Sequence, residues 1–425
     1  MIRRYQLAFY LAGAAAARTG DEMSGPALLL AGLAVTGSAS AASALLAGIT
    51  LSAAVGGPVI GAVLDRAARP GRLLAGALGA YAATLLVILV SLGRIPLPIV
   101  VATAVLGGLL GPALAGGWTA QLPYVAAPDG LPRATALDAL TYNVAALTGP
   151  ALAGLVALLA GAPASVVVSL TLILLALPAA WSLPGRAPAS GGSAATSIVA
   201  DLVSGFVAIG STRPLARATL TSVVSYVGVG TLVACTPLLG AEAFGSSHSG
   251  TVLLTVLAAA SLAANALLAK RPRLLRPDVT VLASTLVLAA AFALAATAAP
   301  VPLLAAMVIA GVAEGPQLTA LFAVRHREAP ERLRGQIFTT GASLKITGYA
   351  LGAGLGGPLA TWSLPGALLV AAGCELLAAV GYMACTAPSR RRLPFSWRRA
   401  GAGTRPGVRH PDAQPPCPGN PHVSP

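Results

Sequence analysis

Polar positions along this chain come in short bursts, separated by long apolar runs. The runs cover about 5–36, 41–64, 73–92, 97–124, 134–160 and 163–183, then 214–239, 249–269, 279–299, 301–324, 336–361 and 364–387. Each is long enough to cross a bilayer, which takes roughly 20 residues at about 1.5 Å per residue. The pattern predicts an all-α membrane protein with twelve transmembrane helices. A polar stretch rich in Gly, Ser, Ala and Pro, including Gly185, Pro188, Ser190, Gly191 and Gly192, splits the runs six and six. It has the composition of a flexible linker. The expected organisation is a first six-helix bundle over 1–184, a linker over 185–212, a second six-helix bundle over 213–387 and a tail over 388–425. Within the linker, 201–210 suits a short interfacial helix. The tail carries Arg390, Arg391, Arg392, Arg398 and Arg399 and then turns Pro- and Gly-rich, a composition that packs no core.

Composition agrees. Of 425 residues, 56% are hydrophobic and 9% charged, whereas a soluble domain carries about 25% charged residues. A formal net charge of +14 would suit nucleic acid, but its placement points to membrane orientation instead. Among the 27 Lys and Arg, Arg18 and Lys345 lie inside spans and Arg94 falls in an outer loop; the other 24 fall on one side. Basic loops stay inside, so both termini are expected in the cytoplasm and the chain in the inner or plasma membrane. Met1 to Ala17 has the look of a signal peptide, but Arg18 and Asp21 follow directly and the apolar run resumes to Thr36. The stretch is therefore read as the first span. Cys235, Cys374, Cys385 and Cys417 show no paired or metal-ligand spacing.

The densest polar burst joins the second and third runs: Gly61, Asp65, Arg66, Arg69, Pro70, Gly71 and Arg72 within twelve positions. Positive-inside anchoring accounts for the arginines but not for Asp65 or the flanking glycines. This G-x-x-x-D-R-x-x-R-x-G-R pattern resembles the loop signature of the major facilitator superfamily of transporters. The resemblance implies that Gly61 allows close helix approach, and that Asp65 and the arginines belong to a cytoplasmic charge network latching the two halves. The halves also echo each other. Gly111 and Pro112 match Gly315 and Pro316; Gly149 and Pro150 match Gly357 and Pro358. Parallel repeats are what a two-bundle transporter predicts.

Charges inside spans carry the functional signal, since each costs roughly 2.5–3.5 kcal/mol or more in lipid. Arg18, Asp21 and Glu22 stand at i, i+3 and i+4 on one helix, so Arg18 is expected to reach both carboxylates. Either the three form a neutralised structural group, or one carboxylate is left to bind a proton or cation. Gly25 and Pro26 follow and should kink or break the helix, and Gly149–Pro150 and Gly357–Pro358 are expected to break a helix or serve its packing. Arg18, Gly20 and Asp21 also resemble an R-x-G-D pattern of exporter-type facilitators. Glu314 and Lys345 lie at matched depths, about 16 Å above the ends of spans ten and eleven, which allows a pair with either a structural or a proton or substrate role. Asp138 is near the surface and is expected to join Asp65 and Arg133 in the surface network. Arg325, Arg327, Glu328, Glu331, Arg332 and Arg334 read as the matching mixed-charge loop. Span four departs from proton-coupled drug exporters, which often carry an arginine there: no charge occurs between Pro98 and Pro123.

No metal cluster, phosphate loop or nucleophile elbow appears, so neither an enzyme nor a cofactor is expected. The expected partners are the lipid bilayer, a small-molecule substrate and protons as coupling ion, with no nucleic acid and a monomeric chain. The leading reading is proton-coupled efflux of small organic molecules. Uptake of a polar metabolite and a non-transporting membrane sensor are the alternatives. Topology is directly testable: a cysteine placed at Ser246 should react with an impermeant maleimide from outside, and one at Ser190 only after permeabilisation. The opposite pattern would invert the molecule.

Overall fold

The computed structural model describes residues 2–185, 198–246 and 249–385. Most of the linker (186–197) and the basic tail, with Cys417, lie outside the described residues, as does Ser190. The twelve long helices are α1 (Ile2–Thr36), α2 (Ala39–Arg66), α3 (Pro70–Ser91), α4 (Leu97–Gly117), α5 (Leu131–Ala160) and α6 (Ala162–Trp181) in the first half. In the second half come α7 (Arg213–Phe244), α8 (Ser249–Lys270), α9 (Pro277–Ala295), α10 (Pro300–Glu328), α11 (Arg334–Trp362) and α12 (Leu364–Ala384). Ten are long and apolar enough to cross a membrane by length and composition alone. The other two are α1, which carries Arg18, Asp21 and Glu22, and α11, whose Lys345 stands among Gly and Thr. Both fall short because of the polar residues they carry among their apolar ones. A further helix, Ile198–Ser211, occupies the end of the linker.

Two bundles follow from where the apolar side chains gather. One buried cluster draws only on residues between Tyr10 and Leu183. Two others draw only on residues between Ala218 and Tyr382. Small residues set the closest helix contacts, as expected where lipid removes the hydrophobic drive between helices. Along α11, a Cβ added at Gly348, Gly352 or Gly356 would run into the carbonyls of Val223, Val227 and Thr231 on α7. Both series step by four, one helical turn, so the two backbones lie against each other over three turns. At the end opposite the arginine-bearing α2–α3 hairpin the turns are tight. Gly161 alone joins α5 to α6 at φ +90°, a conformation an L side chain rarely adopts.

Three expectations are corrected. The helices are not broken at their prolines: α1 runs through Pro26, α5 through Pro150 and α11 through Pro358. A proline removes one amide and frees one carbonyl four residues earlier, a loss the remaining ladder bears. Gly149 does pack closely, its Cβ position being 2.7 Å from Glu22 Cβ, but Gly357 faces open space and serves no packing. Third, α4 is not continuous. Its ladder changes to a π-helical turn at Ala113–Gly117, and a short helix follows at Leu122–Val125. The π turn brings Gly116 against the Phe338 carbonyl of α11. The matching proline of α10, Pro316, sits in an uninterrupted helix.

The bundles touch through one end. Gly57 N donates to Ser343 Oγ at 3.0 Å, Ser343 Oγ donates to the Ala53 carbonyl at 2.6 Å, and Asn265 Nδ2 donates to Asn143 Oδ1 at 2.9 Å. One turn farther along α8 from the basic end, Asn143 Nδ2 donates to Ser261 Oγ. The basic face is closed.

Candidate functional site

The closure is built on the α2–α3 hairpin. Asp65, in the last turn of α2, accepts the backbone amides of Gly335 at 2.7 Å and Gln336 at 2.8 Å. These amides open α11, where the first turn has no helical acceptors and the helix dipole is positive. Three glycines make the approach possible. A Cβ on Gly335 would lie 2.7 Å from Asp65 Oδ1, one on Gly61 would strike Gln336 Cα, and one on Gly57 would strike the Thr339 carbonyl. Arg66 Nε donates to Asp201 of the linker helix at 2.5 Å, and Gln336 Nε2 donates to the Leu202 carbonyl at 3.0 Å. Gly71 lets α3 meet the end of α6, where its Cβ would strike the Ala180 carbonyl. Arg72 stands over the Trp181 ring at 5.1 Å, and Arg69 lines the same cleft. On the second bundle, Asp278 takes Arg217 and, at 2.9 Å, Arg327. Tyr124 bridges across, donating to Glu331 at 3.0 Å and accepting from Arg334 at 3.3 Å.

Above this closure the intramembrane charges divide in a way the sequence did not suggest. Arg18 does not pair with Asp21 or Glu22. Its Nη1 donates to Asp138 Oδ1 at 2.9 Å, to the Asp138 carbonyl at 3.0 Å and to Thr141, while Nη2 donates to Thr119 at 2.8 Å. The guanidinium also stacks on Tyr142, 3.8 Å from the ring centre. Tyr10 and Thr119 donate to the same carboxylate at 2.9 and 2.8 Å. With side-chain exposures of 2% and 0%, this is a buried ion pair between α1 and α5, not the surface network expected of Asp138. Burial favours the partner that adds hydrogen bonds from several helices over a local carboxylate that offers one contact.

The neighbouring carboxylates then point apart. Asp21 lies beside Tyr81 of α3, inside the first bundle. Glu22, about 100° further round the helix, is exposed and close enough to Lys345 of α11 for the charges to act on each other. Lys345 lies near Glu314 as well, but not in a direct pair as expected: its Nζ sits 3.9 Å over the Tyr226 ring, and Tyr226 donates to Glu314 Oε1 at 3.0 Å. Glu22, Glu314, Lys345 and Tyr226 thus bring α1 of one bundle together with α7, α10 and α11 of the other. A cation and two carboxylates that are not locked to each other can exchange partners with a proton or a bound molecule.

Two buried charged groups were missed or misplaced. Glu375 of α12 is 0% exposed, accepts from Ser225 at 2.8 Å and leaves Oε2 with no partner; it is the one charged residue of its apolar run, with no charged neighbour to mark it. Arg325 is not in the mixed-charge loop. It belongs to α10 and is 2% exposed.

Residues 10–338 match the sequence profile of the Major Facilitator Superfamily. The chain belongs to that superfamily. A curated relative, the uncharacterized MFS-type transporter y4rN of Sinorhizobium fredii, is 26% identical over 303 residues, covering 67% of this chain and 70% of the relative. Among solved structures, a bacterial homologue of the iron transporter ferroportin in the outward-facing state superposes with a TM-score of 0.74 at 16% identity, over 90% of this chain and 99% of its own. The human organic anion transporter MFSD10 gives 0.72 at 17%, over 89% and 99%. The Escherichia coli fucose:proton symporter FucP gives 0.68 at 13%, over 90% and 98%. At these identities the superpositions speak for the fold: twelve helices in two six-helix bundles. The protein is a multi-pass membrane transporter of this superfamily.

The Arg18–Asp138 pair makes a stability prediction. Asp138→Asn leaves a buried guanidinium uncompensated and should cost about 3–5 kcal/mol, read as a lower unfolding midpoint of the purified protein in detergent. Asp21→Asn should change that midpoint little. Equal losses from the two would mean that Arg18 depends on both carboxylates.

Proposed function

We propose that this transporter exports small organic molecules in exchange for protons, by alternating access between the two bundles. The observation that carries the proposal is the meeting of Glu22 with Lys345 and Glu314 across the two bundles, just above a closed basic face. Antiport needs a group that holds a proton when one face is open and a substrate when the other is, reachable from both. Carboxylates spread over both bundles, beside a lysine that neither one locks, meet that need; Arg18, committed to Asp138, does not. Asp21, set inside the first bundle beside Tyr81, is a weaker candidate for this role than Glu22. On this reading the closed basic face is cytoplasmic, both termini are cytoplasmic, the membrane is the cell's inner or plasma membrane, and one chain suffices.

Uptake is the second reading, favoured by the fold shared with a sugar:proton symporter. Direction and coupling are settled by one assay. In everted membrane vesicles supplied with a proton gradient and a dye panel, export appears as dye accumulation that collapses with an uncoupler. Glu22→Gln should abolish gradient-driven accumulation while leaving counterflow exchange intact. Coupling that survives both Glu22→Gln and Glu314→Gln would place the proton site elsewhere. Accumulation only in right-side-out vesicles would establish uptake.

A further inference from the structure

Among the described residues, Arg325 is a cation without a counter-ion. It stands one turn from the basic end of α10, and Cα–Cβ bonds tilt toward a helix's N-terminus, so its side chain projects into the protein. There the guanidinium lies against α11 at Gly341: a Cβ on that glycine would sit 2.6 Å from both Cζ and Nη2. Nε and Nη2 are sealed from solvent and have no hydrogen-bond partner. No ion pair reaches it among the described residues; it lies near Tyr142, on whose ring Arg18 stacks at 3.8 Å. Lys345, the cation of the inter-bundle group, feels Arg325 as a like charge. The surroundings are aromatic: Tyr142 and Phe322 have ring centres 5.4 Å apart, and Phe322 and Phe338 5.9 Å. Arg18, Arg217 and Arg334 also leave a sealed Nε without a hydrogen-bond partner, but each of the first two has a carboxylate. Arg18 has Asp138, and Arg217 has Asp278.

A buried guanidinium with open donors and a second cation nearby is a receptor for an anion, because burial without one is costly. We propose that Arg325, assisted by Lys345, binds the anionic group of the transported molecule, and that this molecule is an organic carboxylate whose apolar body packs on Tyr142, Phe322 and Phe338. The fork of guanidinium donors matches a carboxylate in two-point contact, which a point charge does not. Gly341 is the cradle that admits the guanidinium between α10 and α11. This inference rests on the transporter reading but not on its direction or its coupling to protons.

The test is binding by the purified full-length chain in detergent, with benzoate as the probe and benzamide as its neutral isostere, read as the shift in unfolding midpoint over a titration. Benzoate should bind at least about tenfold tighter than benzamide, a difference of about 1.4 kcal/mol. Arg325→Gln should abolish the preference and, because it removes an uncompensated buried charge, should raise the midpoint of the ligand-free protein. Gly341→Ala should also abolish the preference, by displacing the guanidinium while leaving every polar group in place. Arg325→Lys should retain part of it. Equal binding of benzoate and benzamide, or a preference that survives Arg325→Gln, would overturn the proposal. So would an equal Arg325-dependent shift from inorganic phosphate, which would make the site one for inorganic anions, or a lower ligand-free midpoint in Arg325→Gln, which would make Arg325 structural. Failure of proton-driven accumulation in vesicles together with Arg325-dependent benzoate binding would sink the antiport reading and leave this site standing.

Discussion

Closure of the basic face depends on a carboxylate meeting a helix N-terminus across two bundles. Asp65 offers two acceptor oxygens, and the first amides of α11 are donors that no helical carbonyl can satisfy. Charge and dipole add to the hydrogen bonds, an interaction worth about 0.3–2 kcal/mol beyond them according to burial. So modest an energy leaves a contact that can open without unfolding either bundle. The rest of the face is arranged so that this contact can form. Gly57, Gly61 and Gly335 remove the side chains that would hold α2 and α11 apart. The π turn of α4 brings Gly116 to Phe338. Arg66 adds the linker helix through Asp201.

Behind the closure, the membrane interior separates charges that hold the fold from charges left for work. Arg18 and Asp138 are paired with each other and held by Thr119, Thr141, Tyr10 and the Tyr142 ring, and they tie α1 to α5. Glu22, Glu314 and Lys345 are not saturated by one another. Arg325 is less satisfied still, with two sealed donors that meet no acceptor. Arg18 and Arg325 are equally buried, so what separates them is the carboxylate that Arg18 has and Arg325, among the described residues, lacks. Tyr142, on which Arg18 stacks, is near Arg325 as well.

The twelve helices were legible in the sequence because the length of an apolar run is a property of the chain in one dimension. The hairpin around Asp65 was legible for a related reason: its glycines, acid and arginines keep a fixed spacing whatever the helices do. What spacing could not supply was rotation. Arg18, Asp21 and Glu22 share a helix, yet the partner of Arg18 came from α5, and the two carboxylates diverged because one residue turns a helix by about 100°. Arg325 was read as loop because an end error of one turn separates a solvated arginine from a buried one. Glu375 had no polar neighbour in sequence to mark it; its partners Ser225 and, through Ser225, Gln317 come from other helices. The proline positions misled for the opposite reason, since a local rule for helix breaking yields to neighbours that support the freed carbonyl.

The central claim is that Asp65 on the α11 N-terminus holds the basic face shut. It is tested most directly by pulsed electron paramagnetic resonance on spin labels at Ala68 of the α2–α3 hairpin and Arg273 of the α8–α9 hairpin, both exposed and on opposite bundles. In otherwise native protein the distance distribution should be dominated by one short, closed population. Asp65→Asn, which keeps the shape but removes the charge and an acceptor, should shift weight to a longer, open population. An unchanged distribution in a well-folded Asp65→Asn protein would contradict the account.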